Sequence, residues 1–147
     1  DGTAEEIRSR KEILIENYCK LITIEGNTML DMAEKDILPA VTTYELELAK
    51  TIAALGAVPS VGSVPQVATL KTLNKLYSDA VKAIASLKKA LEKGRTTEDY
   101  MEHGKICRDE IIPAMNALRA AADEMELHTA KKYWPFPTYG DLLFSVN

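Results

Sequence analysis

The chain has 147 residues, of which 46% are apolar, and a formal charge of −4. It fits one domain, long enough to bury roughly 70% of its unfolded surface without a disulfide or metal staple. The charge argues against bulk nucleic-acid binding, which needs clustered Lys and Arg to neutralise phosphates. No apolar run approaches the ~20 residues of a membrane span.

The N-terminal stretch "DGTAEEIRSR" is polar, without the hydrophobic centre of a signal peptide. Because it lacks an initiator Met, a processed product or a piece of a longer protein is expected. Thr3-Ala4-Glu5-Glu6 has the form of a helix-capping box. It predicts a helix near 5–55 with Ile7, Leu14, Tyr18, Leu21, Thr28 and Met32 as its buried stripe. Cys19 lies inside that pattern. Gly26 costs ~1 kcal/mol against Ala in a helix interior; it marks either close approach of another backbone or a tolerated weak spot. Pro39 removes a backbone donor and crowds the preceding carbonyl, so the helix is expected to kink there, or to split into 5–37 and 40–55. Gly56 stands where a left-handed C-cap belongs.

"GAVPSVGSVP" reads as the one loop of any length. Ser63-Val64-Pro65-Gln66 then opens a second helix near 64–93, with Leu70, Leu73, Leu76, Tyr77, Ala80, Ile84, Leu87 and Leu91 as its core side. Its basic end, "SLKKALEKGR", reads as a solvated face, and Gly94 as its C-cap. "KGRTT" is a tight turn that sets the last two helices antiparallel. Thr96-Thr97-Glu98-Asp99 caps a third helix near 97–131, burying Ile106, Ile111, Met115, Leu118, Ala122 and Met125. Within it "DEIIPAM" (109–115) repeats the pattern of "KDILPAV" (35–41), so a second kink is expected at Pro113. Pro135 is expected to end this helix. The fold class is all-α: an elongated antiparallel bundle of three long helices, or four segments if the first splits at Pro39. Residues 1–147 make a single helical domain, with residues 133–147 as an extended tail.

No convincing active site emerges, and no catalytic, cofactor-binding or metal-binding residue is assigned. Cys19 and Cys107 have no CxxC partner and no neighbouring His; they read as small core residues and as reduced cytoplasmic thiols. Asp99 and His103, four apart on a helix, read as a surface pair. His103 within "MEHGKICRDE" could accept a phosphoryl group, as in histidine phosphotransfer bundles. That gives an alternative reading as an independent signalling or adaptor bundle. Lys105, two positions on, points away from the face such a module uses.

The end of the chain, "YWPFPTYGDLLF" (133–144), is unlike the rest. Pro135 and Pro137 stop any helix and favour extended backbone. Tyr133, Trp134, Phe136, Tyr139, Leu142, Leu143 and Phe144 would be an aggregation liability if left free. They are expected to dock, either on this chain's own helices or on another domain or subunit.

"ENYCKLITIEGNTMLDMAEKDILPAV", "IIPAMNALRAAADEME" and above all "YWPFPTYGDLLF" resemble the C-terminal helical domain of type III glutamine synthetase. The likeness runs from about Arg8 to Phe144 and is weak across "GAVPSVGSVPQVATLKTLNKLY". It implies a parent enzyme that ligates ammonia to glutamate with ATP and Mg2+ or Mn2+, built as a cytoplasmic homo-oligomer of stacked hexameric rings. The catalytic machinery would lie in an upstream domain, and none of its residues maps onto this chain. The implied role is a non-catalytic structural or oligomerisation domain. Its expected partners are that catalytic domain and neighbouring subunits, with neither nucleic acid nor membrane.

Overall fold

The computed structural model describes residues 2–137. Tyr139, Leu142, Leu143 and Phe144 lie outside the described residues. The described residues are all-helical in class, with no strand among them. Helix α1 (Gly2–Met32) passes through a five-residue π-helical segment (Ala33–Ile37) into α2 (Leu38–Gly56). After a loop comes α3 (Gln66–Arg95). Then α4 (Tyr100–Ile106) passes through a second π segment (Cys107–Ile111) into α5 (Ile112–His128). A 3-10 turn (Lys131–Tyr133) follows.

The prolines do not split their helices. Each is the second residue of the α-helix that resumes after a π segment, Pro39 in α2 and Pro113 in α5. The residue before each proline donates its N–H five residues back, Leu38 to the Ala33 carbonyl and Ile112 to that of Cys107. A proline cannot donate, and its ring collides with the carbonyl four residues earlier in a regular α-helix. The π turn holds one extra residue, which relieves that collision and lets the helical chain continue. The two repeated sequences therefore have one local geometry, at the same offset of 74 residues for prolines and π segments alike.

Several caps differ from expectation. Thr3 lies inside α1 rather than before it. The Gln66 side-chain oxygen is buried without a partner, so the Ser63–Gln66 box is not closed. Asp99 caps α4, accepting from the Glu102 N–H at 3.3 Å. Thr96 and Thr97 instead donate to carbonyls at the end of α3 (Thr97 Oγ1 to Lys93 O, 2.7 Å), because that helix leaves the nearer orphan acceptors. Gly56 and Gly94 keep right-handed helical backbone; among the described residues only Gly62, in the loop, has a positive φ, at 77°. The last helix ends at His128, well before Pro135.

The chain forms two compact units. Among the described residues, the first comprises 2–31 and 81–119. Its interior holds Cys19, Ile22 and Leu30 from α1, Ile84 and Leu87 from α3, and Ile106, Ile111, Met115 and Leu118. Gly26 is buried here because a β-carbon would stand 3.3 Å from Leu91 Cδ2; what approaches is a side chain, not another backbone. Lys93 and Glu110 pair at 2.7 Å on its surface. The second unit comprises residues 32–80 and, as far as the described residues reach, 120–137, and buries Ile37, Leu38, Val41, Leu48, Leu73, Ala80 and Met125.

The expected stripes of the second and third helices are largely interior. That of the first is not. Ile7, Leu14, Tyr18 and Leu21 are 51%, 68%, 50% and 54% exposed, and Thr28 and Met32 are exposed too. The buried face is Cys19, Ile22, Gly26 and Leu30. α1 carries apolar residues on more than one side, and helical spacing alone does not say which side wins.

Candidate functional site

The first unit brings together three side chains that sequence reading treated separately. α1 supplies Cys19, α4 supplies His103, and the π segment begins with Cys107. One donor atom from each residue lies within 4.8 Å of the other two. Both cysteines are buried and unoxidised, and His103 is half-buried.

Two glycines make this geometry possible. A β-carbon at Gly94 would stand 3.1 Å from His103 Nε2, so α3 has no side chain where the imidazole lies. A β-carbon at Gly104 would stand 3.1 Å from Ile15 Cγ2, so α4 approaches α1 closely at the level of the cluster. Gly94, expected as a helix cap, instead makes room for a ring.

The Cys107 thiol is pushed up to about 12, first by burial and then by its hydrogen bond and proximity to Cys19. The Cys107 thiol therefore stays protonated at neutral pH, since an uncompensated thiolate would be costly there. His103 also lines an open cleft of about 480 Å3 bordered by Glu16, Lys20, Arg95, Glu98 and Tyr100. Arg95, on its lining, donates from Nε to Glu92 at 2.8 Å.

Contrary to the expectation that neither cysteine has a neighbouring His, His103 stands four positions before Cys107 and shares its helical face. That spacing is legible in the sequence; the contribution of Cys19, from another helix, is not. The Asp99–His103 surface pair is not formed: the Asp99 carboxylate is the cap of α4. Nor does the phosphotransfer reading find support, because Lys105 turns to Glu102 at 3.3 Å and the imidazole packs against Gly94.

The described part of the tail is near α2. The Tyr133 ring lies 5.2 Å from that of Tyr44, tilted by 39°. Lys132 Nζ sits 5.1 Å above the Tyr133 ring. Trp134 is extended and, like Phe136, half-buried. Beside Tyr44, partial burial raises the Glu45 carboxyl above its ordinary range.

Residues 2–56 match the family model described as the glutamine synthetase C-terminal domain. A glutamine synthetase of Butyrivibrio fibrisolvens is 35% identical over 146 residues, covering 99% of this chain and 21% of the relative. A type-3 glutamine synthetase of Dictyostelium discoideum is 30% identical over 152 residues, 95% of this chain and 20% of the relative. A glutamine synthetase of Bacteroides fragilis (strain YCH46) is 26% identical over 145 residues, again 95% and 20%. The chain thus spans about a fifth of the length of the curated relatives it matches. Residues 2–56 belong to the glutamine synthetase C-terminal domain family, and the alignments with glutamine synthetases extend the likeness over nearly the whole chain.

Proposed function

We propose that the chain is a non-catalytic structural and oligomerisation domain of a type III glutamine synthetase. The parent activity is ATP-dependent ligation of ammonia to glutamate in the cytoplasm. In this reading ATP and Mg2+ or Mn2+ bind in an upstream catalytic domain, and the partners are that domain and neighbouring subunits of a homo-oligomer. The helices run antiparallel, Pro39 and Pro113 bend them together, and the segment from Tyr133 onward clamps the arrangement.

The observation that carries this reading is the exposed apolar side of α1. Ile7, Leu14 and Leu21 recur every seventh residue, with Tyr18 beside them, which is the spacing of a helix–helix seam. Fully covering a side chain of this kind contributes about 1.5–3 kcal/mol, so a row of four is a substantial surface to leave in water. The relatives are about five times longer than this chain, so further protein is available there to cover such a surface.

The test uses the full-length enzyme that carries this domain. Leu14→Asp with Leu21→Asp, and separately deletion of residues 133–147, should reduce the assembly mass in analytical ultracentrifugation and lower synthetase activity with it. Normal assembly and normal turnover in both variants would refute the role.

A further inference from the structure

We propose that Cys19, His103 and Cys107 form a binding site for one thiophilic divalent metal ion of the zinc class. Two sulfurs and one imidazole nitrogen are the donor types zinc prefers, and three protein ligands with one open position is a recurrent zinc arrangement. Geometry agrees. In a tetrahedral site with metal–sulfur bonds of about 2.3 Å and metal–nitrogen bonds of about 2.0 Å, donors stand about 3.5–3.8 Å apart. The three donors here already lie within 4.8 Å of one another, so side-chain rotation of about an ångström closes the set without moving a helix.

Two further observations point the same way. The cluster is preorganised: Gly94 leaves the place for the imidazole and Gly104 the close approach of α4 to α1. The fourth position is left to solvent, since the one half-exposed donor, His103, lines a cleft open to water. Cys107 begins a π segment, a backbone form often found where a helix positions functional groups.

Each thiol loses its proton to solvent, each sulfur donates an electron pair to the ion, and the neutral imidazole donates through one ring nitrogen. Two protons are released per ion, the two thiolate charges neutralise the cation, and no electron is transferred. The ion would tie α1 to the α4–π–α5 helix, a link of the kind that adds folding free energy directly.

The experiment is titration of the reduced full chain with Co2+, followed by displacement with Zn2+ against a chelating competitor. The expected result is one Co2+ per chain, thiolate-to-cobalt charge-transfer bands, and the visible bands of tetrahedral cobalt, all removed by one equivalent of Zn2+. Cys19→Ala and Cys107→Ser should abolish the charge-transfer bands or weaken binding more than about 100-fold, beyond the 10–100-fold typical of losing an outer-sphere partner. His103→Gln, at a half-exposed position that tolerates change, guards against variants that fail to fold; it should weaken Zn2+ binding at least about tenfold with helicity unchanged. Absence of charge-transfer bands in the unaltered chain, or wild-type affinity in both His103→Gln and Cys19→Ala, would overturn the site.

Discussion

Cys107 and Gly94 show how much a single position can decide. Because burial and the neighbouring Cys19 raise the Cys107 thiol to about 12, the native state keeps a proton that the unfolded chain gives up near 9. The folded pKa is the higher one, so this contribution to stability is fully present below about 9 and is lost as pH rises towards about 12. Urea denaturation under reducing, metal-free conditions should show a midpoint that falls across this window, and the slope should flatten in Cys107→Ala. Glu45 has the same sign in a lower window: its carboxyl is raised by partial burial, so ionising it above the ordinary carboxylate range opposes folding. Glu45→Gln should leave stability unchanged in acid and raise it slightly at neutral pH. At Gly94 a methyl group would meet the His103 ring at 3.1 Å. Gly94→Ala should lower stability by about 1–2 kcal/mol in thermal denaturation although alanine is the better helix former, because the imidazole must move aside.

At the scale of elements, helices and loops were legible from spacing and punctuation, and the core sides of α3 and of α4–α5 followed from apolar periodicity. The exceptions have physical causes. Ile7, Leu14 and Leu21 have the spacing of a core stripe, yet the α1 face that packs is the narrower one of Cys19, Ile22 and Gly26. Small residues there permit close approach, a property that hydrophobicity does not report. A kink or a break is the expectation at each proline, whereas a π turn precedes each one, and a π turn has no residue signature of its own. Its role can be tested by removing the extra residue. Deleting Asp36 should restore regular α-helix through residues 33–37 and leave Pro39 in a helix interior, at a cost of about 3 kcal/mol. Adding Pro39→Ala to that deletion should recover most of the loss in chemical denaturation. If the deletion alone is neutral, the π segment does not serve the proline.

For the whole molecule, the sequence disclosed the family and little of the candidate site. The family was legible because the aromatic and proline-rich end is so specific a string. The site was not, because His103 and Cys107 share a helix face whereas Cys19 is more than eighty positions away and meets them only once the helices pack. The chain by itself should release no phosphate from ATP when supplied with glutamate, ammonia and Mg2+, as a coupled phosphate assay would show; turnover above background would move part of the chemistry into this domain.

The paired π turns have a consequence for kinship. A helix ordinarily rejects the gain or loss of one amino acid, because everything beyond it swings by about 100° around the axis. A stretch already holding a surplus residue can surrender it with both flanks still facing as before, provided the proline leaves too. Cousins of this chain that are shorter by one should therefore show their gap beside a missing Pro39 or Pro113, making length and proline content a joint marker of descent.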